Sequence, residues 1–175
     1  MTLQEWGAVG EFVGGVAVIA TLVYLAVQTR QARRSAWAQA PQWISDGYRD
    51  WISAPRADAE LGALIIRATH GWNDLTKIDQ MRSHAWWGEK VVHLDAVLTL
   101  YDQGLIDEMR KRAWVDDCLM MVGTPGGAEW WSQSKILFTP QVRNEIERRL
   151  EDPSTLPPPW SEILPFFRDD SSTAS

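Results

Sequence analysis

The chain has 175 residues, a formal net charge of −6 and one cysteine, Cys118. This length suits one domain with a hydrophobic core rather than two. The single cysteine excludes an intrachain disulfide, and the acidic balance without a long basic block argues against a nucleic-acid partner.

The first predicted element is a transmembrane helix within residues 1–29. Ala8 to Val27 is apolar apart from Glu11, and the first 29 residues contain no Lys or Arg. Twenty helical residues span about 30 Å, the thickness of the hydrocarbon core of a bilayer. Three arginines follow directly: Arg30, Arg33 and Arg34. By the positive-inside rule we expect the N-terminus outside and the remainder of the chain in the cytoplasm.

Two other interpretations of this segment stay open. A signal peptide would begin with basic residues and end at an A-x-A-like cleavage site, whereas this segment carries Glu5 and Glu11 and continues into Gln28. A buried helix of a soluble domain is the other alternative, since a mean hydropathy of −0.25 is not that of a multi-span protein.

Small residues follow one face of the predicted anchor. Their spacing alternates between three and four: Gly7, Gly10, Gly14, Ala17 and Thr21. Such a face lets two membrane helices approach closely, and Gly10 with Gly14 forms a G-x-x-x-G motif. Glu11 lies beside this face. We expect association with a second helix here, although glycines are also common in single membrane helices.

The region 30–152 is predicted to be a small cytoplasmic helical bundle, because no segment alternates with a period of two. The anchor helix is expected to continue to about Ala40, and Pro41 kinks or restarts it before 42–52, where residues 53–55 end the element. Further helices are expected over 58–69, 77–103 and 107–122. A short helix with Trp130 and Trp131 and a last helix from Pro140 follow. Residues 123–127 are read as a glycine-rich break. The fold class is therefore all-α, with one transmembrane helix and a Pro-rich tail, 153–175.

The longest soluble helix, 77–103, is expected to turn one stripe towards the core. That stripe is Met81, Trp86 or Ala85, Val92, Ala96 and Leu100, on helical spacing. Thr76 is its predicted N-cap and Gly104 its stop. The tail is expected to dock on the domain or on a partner, because it is too apolar to remain in water.

Eleven tryptophans are an unusually large number for this length. Two pairs are adjacent, Trp86 with Trp87 and Trp130 with Trp131, and neighbouring helical residues point about 100° apart. With Trp160, these four are the candidate interaction residues for another subunit, the membrane or the tail. The alternative is that the domain fills its core with Trp.

No motif for catalysis, a cofactor or a metal is present. His84 and His93 are nine residues apart on one predicted helix and therefore lie on opposite sides, and Glu89 is spaced one residue too far from His93 for a di-iron motif. The break 123–127 lacks the ending of a P-loop. Cys118 follows two acidic residues, which disfavour a thiolate, so a structural role is expected.

Several short motifs together resemble a family of uncharacterised bacterial proteins. They are Gly7–Phe12, Leu22–Gln28, Gly104–Ile106, Pro125-Gly126, Trp130-Trp131 and Phe138–Pro140. The resemblance implies an N-terminal span in the inner membrane followed by a small helical domain. It implies no activity, because that family has none assigned, and no catalytic residue follows from it.

The sequence favours a non-enzymatic, membrane-anchored assembly or accessory subunit. It would associate with itself or with another membrane protein through the small-residue face and the Trp-rich domain, with the lipid bilayer as its environment and without a cofactor. The alternative is a ligand-binding or sensory helical domain tethered to the inner membrane, with a Trp-lined pocket for an apolar molecule.

Overall fold

The computed structural model describes residues 3–168, and describes the backbone alone for residues 3–13 and 41. Over these residues the fold is helical and contains no strand, which confirms the all-α class. The helices are α1 (Leu3–Ala57), α2 (Ala59–His70), α3 (Lys77–Asp102), α4 (Glu108–Val122), α5 (Pro125–Ser134), α6 (Pro140–Leu150) and α7 (Trp160–Ile163). Short 3₁₀ turns lie at Lys135–Leu137, Pro153–Thr155 and Pro165–Phe167.

The chain divides into two compact units inside α1, between Gln39 and Ala40. The predicted domain boundaries at 29/30 and 152/153 differ from this division, since the tail belongs to the second unit. The predicted restart at Pro41 and the predicted end at 53–55 are wrong, because α1 is one helix that continues to Ala57.

The first unit exposes its side chains to the surroundings. Every residue from Gly14 to Gln39 is exposed, including the apolar side chains between Val16 and Val27. Among the residues whose side chains the structure describes, no helix has a stretch long and apolar enough to cross a bilayer. Ala8 to Val13, the first part of the predicted span, lie outside those residues.

Side-chain caps define where the helices of the second unit begin. The Asp58 carboxylate accepts hydrogen bonds from the N–H groups of Glu60 and Leu61, at 2.9 and 3.1 Å. Thr76 and Thr139 accept one each at the starts of α3 and α6. These groups satisfy N–H donors that have no partner inside the helix. The predicted starts of α2, α3 and α6 are confirmed.

The core-facing side of α3 differs from the predicted stripe. Met81 and Val92 are 66% and 60% exposed, and Ala85 is exposed, whereas Trp86 is buried. The fully buried side chains of this helix are instead Trp87, Lys90, Val91, Leu94 and Val97. The stripe is displaced because α3 packs between α1, α2, α4 and α6, so a helix with partners on several sides has no single apolar face.

The predicted break at 123–127 is limited to Gly123 and Thr124, because the glycines that follow belong to α5. Thr124 caps α5, which begins at Pro125, so Gly126 and Gly127 lie in its first turn. A Cβ atom on Gly126 would lie 1.8 Å from the Ala68 carbonyl oxygen, and one on Gly127 would lie 2.0 Å from the Met121 carbonyl oxygen. The two glycines therefore let α5 approach the backbones of α2 and α4.

The tail packs against its own domain. Trp160 and Phe167 are buried and stack with ring centroids 5.3 Å apart. The buried Arg149 guanidinium donates to the Asp116 carboxylate at 2.7 Å and to the Thr155 carbonyl at 2.8 Å. This one side chain thus links α6, α4 and the start of the tail.

Gly126→Ala is expected to lower the free energy of unfolding by about 3 kcal/mol, because the added methyl group meets a backbone carbonyl that cannot move aside. Gly88→Ala is the matched control, since its Cβ would meet only Phe138 Cζ at 4.0 Å. The control should be neutral or more stable by up to about 1 kcal/mol through helix propensity. Urea unfolding followed by near-ultraviolet circular dichroism measures both. Equal effects of the two substitutions would contradict the close approach.

Candidate ligand-binding cavity

Two tryptophans join the C-terminal part of α1 to α3. The Trp51 indole N–H donates to the Trp86 carbonyl at 2.8 Å, and the Trp86 indole N–H donates to the Trp51 carbonyl at 3.1 Å. Their rings stack with centroids 4.0 Å apart. Each buried indole N–H therefore has its acceptor on the backbone of the other tryptophan, and this exchange fixes the spacing of the two helices.

A buried lysine lies next to this tryptophan pair. The Lys90 side chain is fully buried, and its ammonium lies 4.1 Å from the ring centroid of Trp51 and 5.4 Å from that of Trp160. Tyr48 and Trp114 complete an aromatic box around it. The ammonium also forms an ion pair with Asp117 on α4. Charge pairing and cation–π attraction together offset the cost of burying the cation.

A cavity of about 480 Å³ opens beside the tryptophan pair. Its walls come from the end of α1, from α2, α3 and α4, and from the tail. Its lining is mostly aliphatic and aromatic, with Trp51, Trp86 and Trp160 among the walls. This volume is within the range of small-molecule sites, which are concave and apolar with few polar groups.

Two charged residues, Asp117 and Arg56, are part of the lining. Asp117 also lines a second groove together with Tyr48, and burial and the charge of Asp117 raise the pKa of the Tyr48 hydroxyl. Arg56 follows Tyr48 by eight residues on α1, which corresponds to about 12 Å along a helix. The lining thus contains one carboxylate that is paired with Lys90 and one arginine, about two turns of α1 away from Tyr48.

The five predicted interaction tryptophans are all buried in the domain. They are Trp86, Trp87, Trp130, Trp131 and Trp160. In the first pair, Trp86 contacts Trp51 and Trp160 of the tail, whereas Trp87 stacks on Trp72. Both members of the second pair contact Phe138. Their contacts are internal, so the alternative that Trp fills the core describes them. Only Trp86 and Trp160 of this set line the cavity.

Sequence reasoning missed Lys90, Asp117 and Arg56. A lysine between aromatic residues at helical spacing is a weak signal, because most lysines lie in water. Asp117 carries no signal in the sequence beyond its acidic effect on the neighbouring Cys118. Arg56 follows Pro55, a residue that predicts the end of a helix, so no pattern marks it as part of a site.

The residues weighed for chemistry have other roles in the structure. His84 accepts a hydrogen bond from the Trp130 indole at 3.0 Å, and His93 stacks between Trp43 and Trp114. The two histidines thus face different neighbours. Among the described residues, no group of His, Cys, Asp and Glu is arranged to hold a metal. Burial raises the pKa of the Cys118 thiol to about 12, so it stays protonated.

The small-residue face is described only in part. Gly7, Gly10 and Glu11 lie outside the residues whose side chains are described, whereas Gly14, Ala17 and Thr21 are exposed. A Cβ on Gly14 would meet nothing within 4 Å. The arginines predicted to set the topology, Arg30, Arg33 and Arg34, are also exposed.

No family model, curated protein or solved structure matches this chain. The resemblance to an uncharacterised bacterial family stays a prediction.

Asp117→Asn is expected to destabilise the domain by about 3 kcal/mol, because it leaves the buried Lys90 ammonium without a counter-charge. The double variant Lys90→Met with Asp117→Asn should be more stable than Asp117→Asn alone, since no buried charge remains. Urea unfolding of both variants measures the difference. A double variant that is as unstable as the single one would show that the box does not hold a costly charge.

Proposed function

We propose that this protein is a membrane-tethered binding module, and that its helical domain takes a small, mainly apolar ligand into the cavity beside Trp51 and Trp86. The observation that carries the proposal is the cavity itself, which is about 480 Å³ in volume and apolar on nearly all sides. The apolar walls of this cavity are partly open to water, so they lack the free energy that burial of apolar surface provides. A ligand that fills it would recover this energy.

The tail supports this proposal because it forms one wall of the cavity. Ile163, Leu164 and Phe166 reach the lining from a segment with only a four-residue helix and a 3₁₀ turn. Phe166 is 60% exposed. A wall with so little regular structure can move aside at a lower cost than a packed helix, which gives a ligand a route into the cavity.

The exposed part of α1 supports the membrane tether. Apolar side chains point outwards all round the helix between Val16 and Val27. The polar side chains there bond within the helix, since the Thr21 hydroxyl donates to the Ala17 carbonyl at 2.8 Å and the Gln28 amide donates to the Tyr24 hydroxyl at 2.9 Å. Internal bonding of this kind is what a lipid environment demands. With the predicted residues from Ala8 onward, this segment is our proposed anchor, followed by a cytoplasmic domain.

Ile163→Trp is expected to reduce ligand binding at least about tenfold, because the larger side chain fills the cavity. Ile136→Trp is the matched control, since Ile136 is exposed and does not line the cavity. The measurement is photolabelling of the full chain in lipid nanodiscs with a diazirine derivative of decanol, followed by peptide mapping. Labels should map to the end of α1, α2 and the tail.

Gly62→Leu provides a second blocking variant from a different wall of the same cavity. Labelling confined to the N-terminal helix, or labelling of the domain that neither blocking variant reduces, would overturn the proposed function.

A second candidate function is assembly through the anchor helix. The observation in its favour is that Gly14, Ala17 and Thr21 share one exposed face of α1, and three small side chains on one face let a second helix backbone approach. Close backbone approach is the main source of affinity between membrane helices, where no hydrophobic drive exists. This function is compatible with ligand binding, because it uses a different part of the chain.

Gly10→Leu with Gly14→Leu is expected to convert a detergent-stable oligomer into a monomer, because two leucines block the close approach. Val23→Leu, on the opposite face of the helix, is the control and should leave the mass unchanged. Light scattering coupled to gel filtration measures the mass. A monomeric parent protein, or an unchanged mass in the double variant, would contradict assembly through this face.

A further inference from the structure

We propose that the cavity selects a single-chain amphiphile with a carboxylate head, such as a medium-chain fatty acid, and that Arg56 binds the head group. This inference deepens the proposed function and rests on it. The cavity would hold the acyl chain against Trp51 and Trp86, and the carboxylate would lie at the mouth.

The charges along the lining favour an anion rather than a cation. Arg56 is the one basic residue among the described residues of the lining. The one acidic residue there, Asp117, is already paired with the buried Lys90 ammonium. A cationic head would therefore find a carboxylate whose charge is already compensated, whereas an anionic head would find a guanidinium able to bind it through two parallel hydrogen bonds.

Arg56 is available for this role. Its side chain is exposed at the end of α1, and it makes no ion pair or hydrogen bond within the described part of the chain. The nearby acidic residues Asp58 and Glu60 are engaged by Arg82 instead, at 3.4 and 3.5 Å. An exposed arginine in the lining of an apolar cavity, without an ion pair among residues 3–168, can bind an anionic head while the chain of the ligand stays buried.

The spacing of the polar groups also suits an amphiphile. About 12 Å of helix separates Arg56 from Tyr48, beside Asp117. The lining between them is contributed by apolar side chains such as Trp51, Ile52 and Pro55. A ligand with one charged end and an apolar body of this length matches the lining, whereas a compact polar metabolite does not.

A simpler role for Arg56 is to complement the helix dipole, because it lies in the last turn of α1. Arg67 provides a matched control, since it occupies the same place in α2 and does not line the cavity. Arg56→Gln and Arg67→Gln remove the same charge from equivalent helix ends. Only the first should change ligand selectivity.

The experiment measures how well three competitors of equal chain length displace the photoreactive decanol from the full chain in nanodiscs. The competitors are decanoic acid, decanol and decylamine. Arg56→Gln is expected to weaken competition by decanoic acid about fivefold, the effect of one exposed ion pair, and to leave decanol unchanged. Because partition of a competitor into lipid is the same for every variant, comparing variants with one competitor removes that contribution.

The outcomes separate this inference from the proposed function. Three results would overturn the role of Arg56 while apolar binding stands. The first two are that competition by decanoic acid weakens equally in Arg56→Gln and Arg67→Gln, or that it weakens in neither. The third is that decylamine competes more strongly than decanoic acid. Absence of any labelling of the cavity walls would overturn both. A loss that is confined to decanoic acid and to Arg56→Gln supports the inference.

Discussion

The reciprocal hydrogen bonds between Trp51 and Trp86 are the contact on which the rest of the second unit depends. Two bulky indoles can stack between helices only if each N–H finds an acceptor, and here each uses the carbonyl of the other residue. This exchange holds the end of α1 against α3. The aromatic box, the cavity wall and the docking surface for Trp160 all follow from that placement.

Lys90 extends the same constraint to α4 and the tail. Its ammonium attracts the surrounding aromatic rings and the Asp117 carboxylate. One charge on α3 therefore holds together residues from α1, α4 and the tail. A buried charge is costly if any partner moves away. The result is a polar point inside an aromatic core, and the cavity lies next to it because flat, rigid rings around one cation leave space beside them.

Local signals in the sequence predicted the helices of the second unit well. Asp58, Thr76 and Thr139 are N-caps whose effect depends on only three or four following residues, so they are readable without knowing the fold. The anchor pattern is equally local. The core stripe of α3 was wrong because Met81 and Val92 are as apolar as Val91 and Leu94, and sequence alone does not show on which sides a helix has neighbours.

The sequence by itself determined the all-α class and the helix starts of the second unit, because these depend on residues close together in the chain. Only the tertiary structure decided what the tryptophans do and where the candidate cavity lies. Trp51 and Trp86 are 35 residues apart, and Lys90 and Asp117 are 27 apart. Arg56 becomes a candidate binding residue only because the structure shows that it lines the cavity. Contacts of this kind depend on how the helices pack, and no local pattern encodes that.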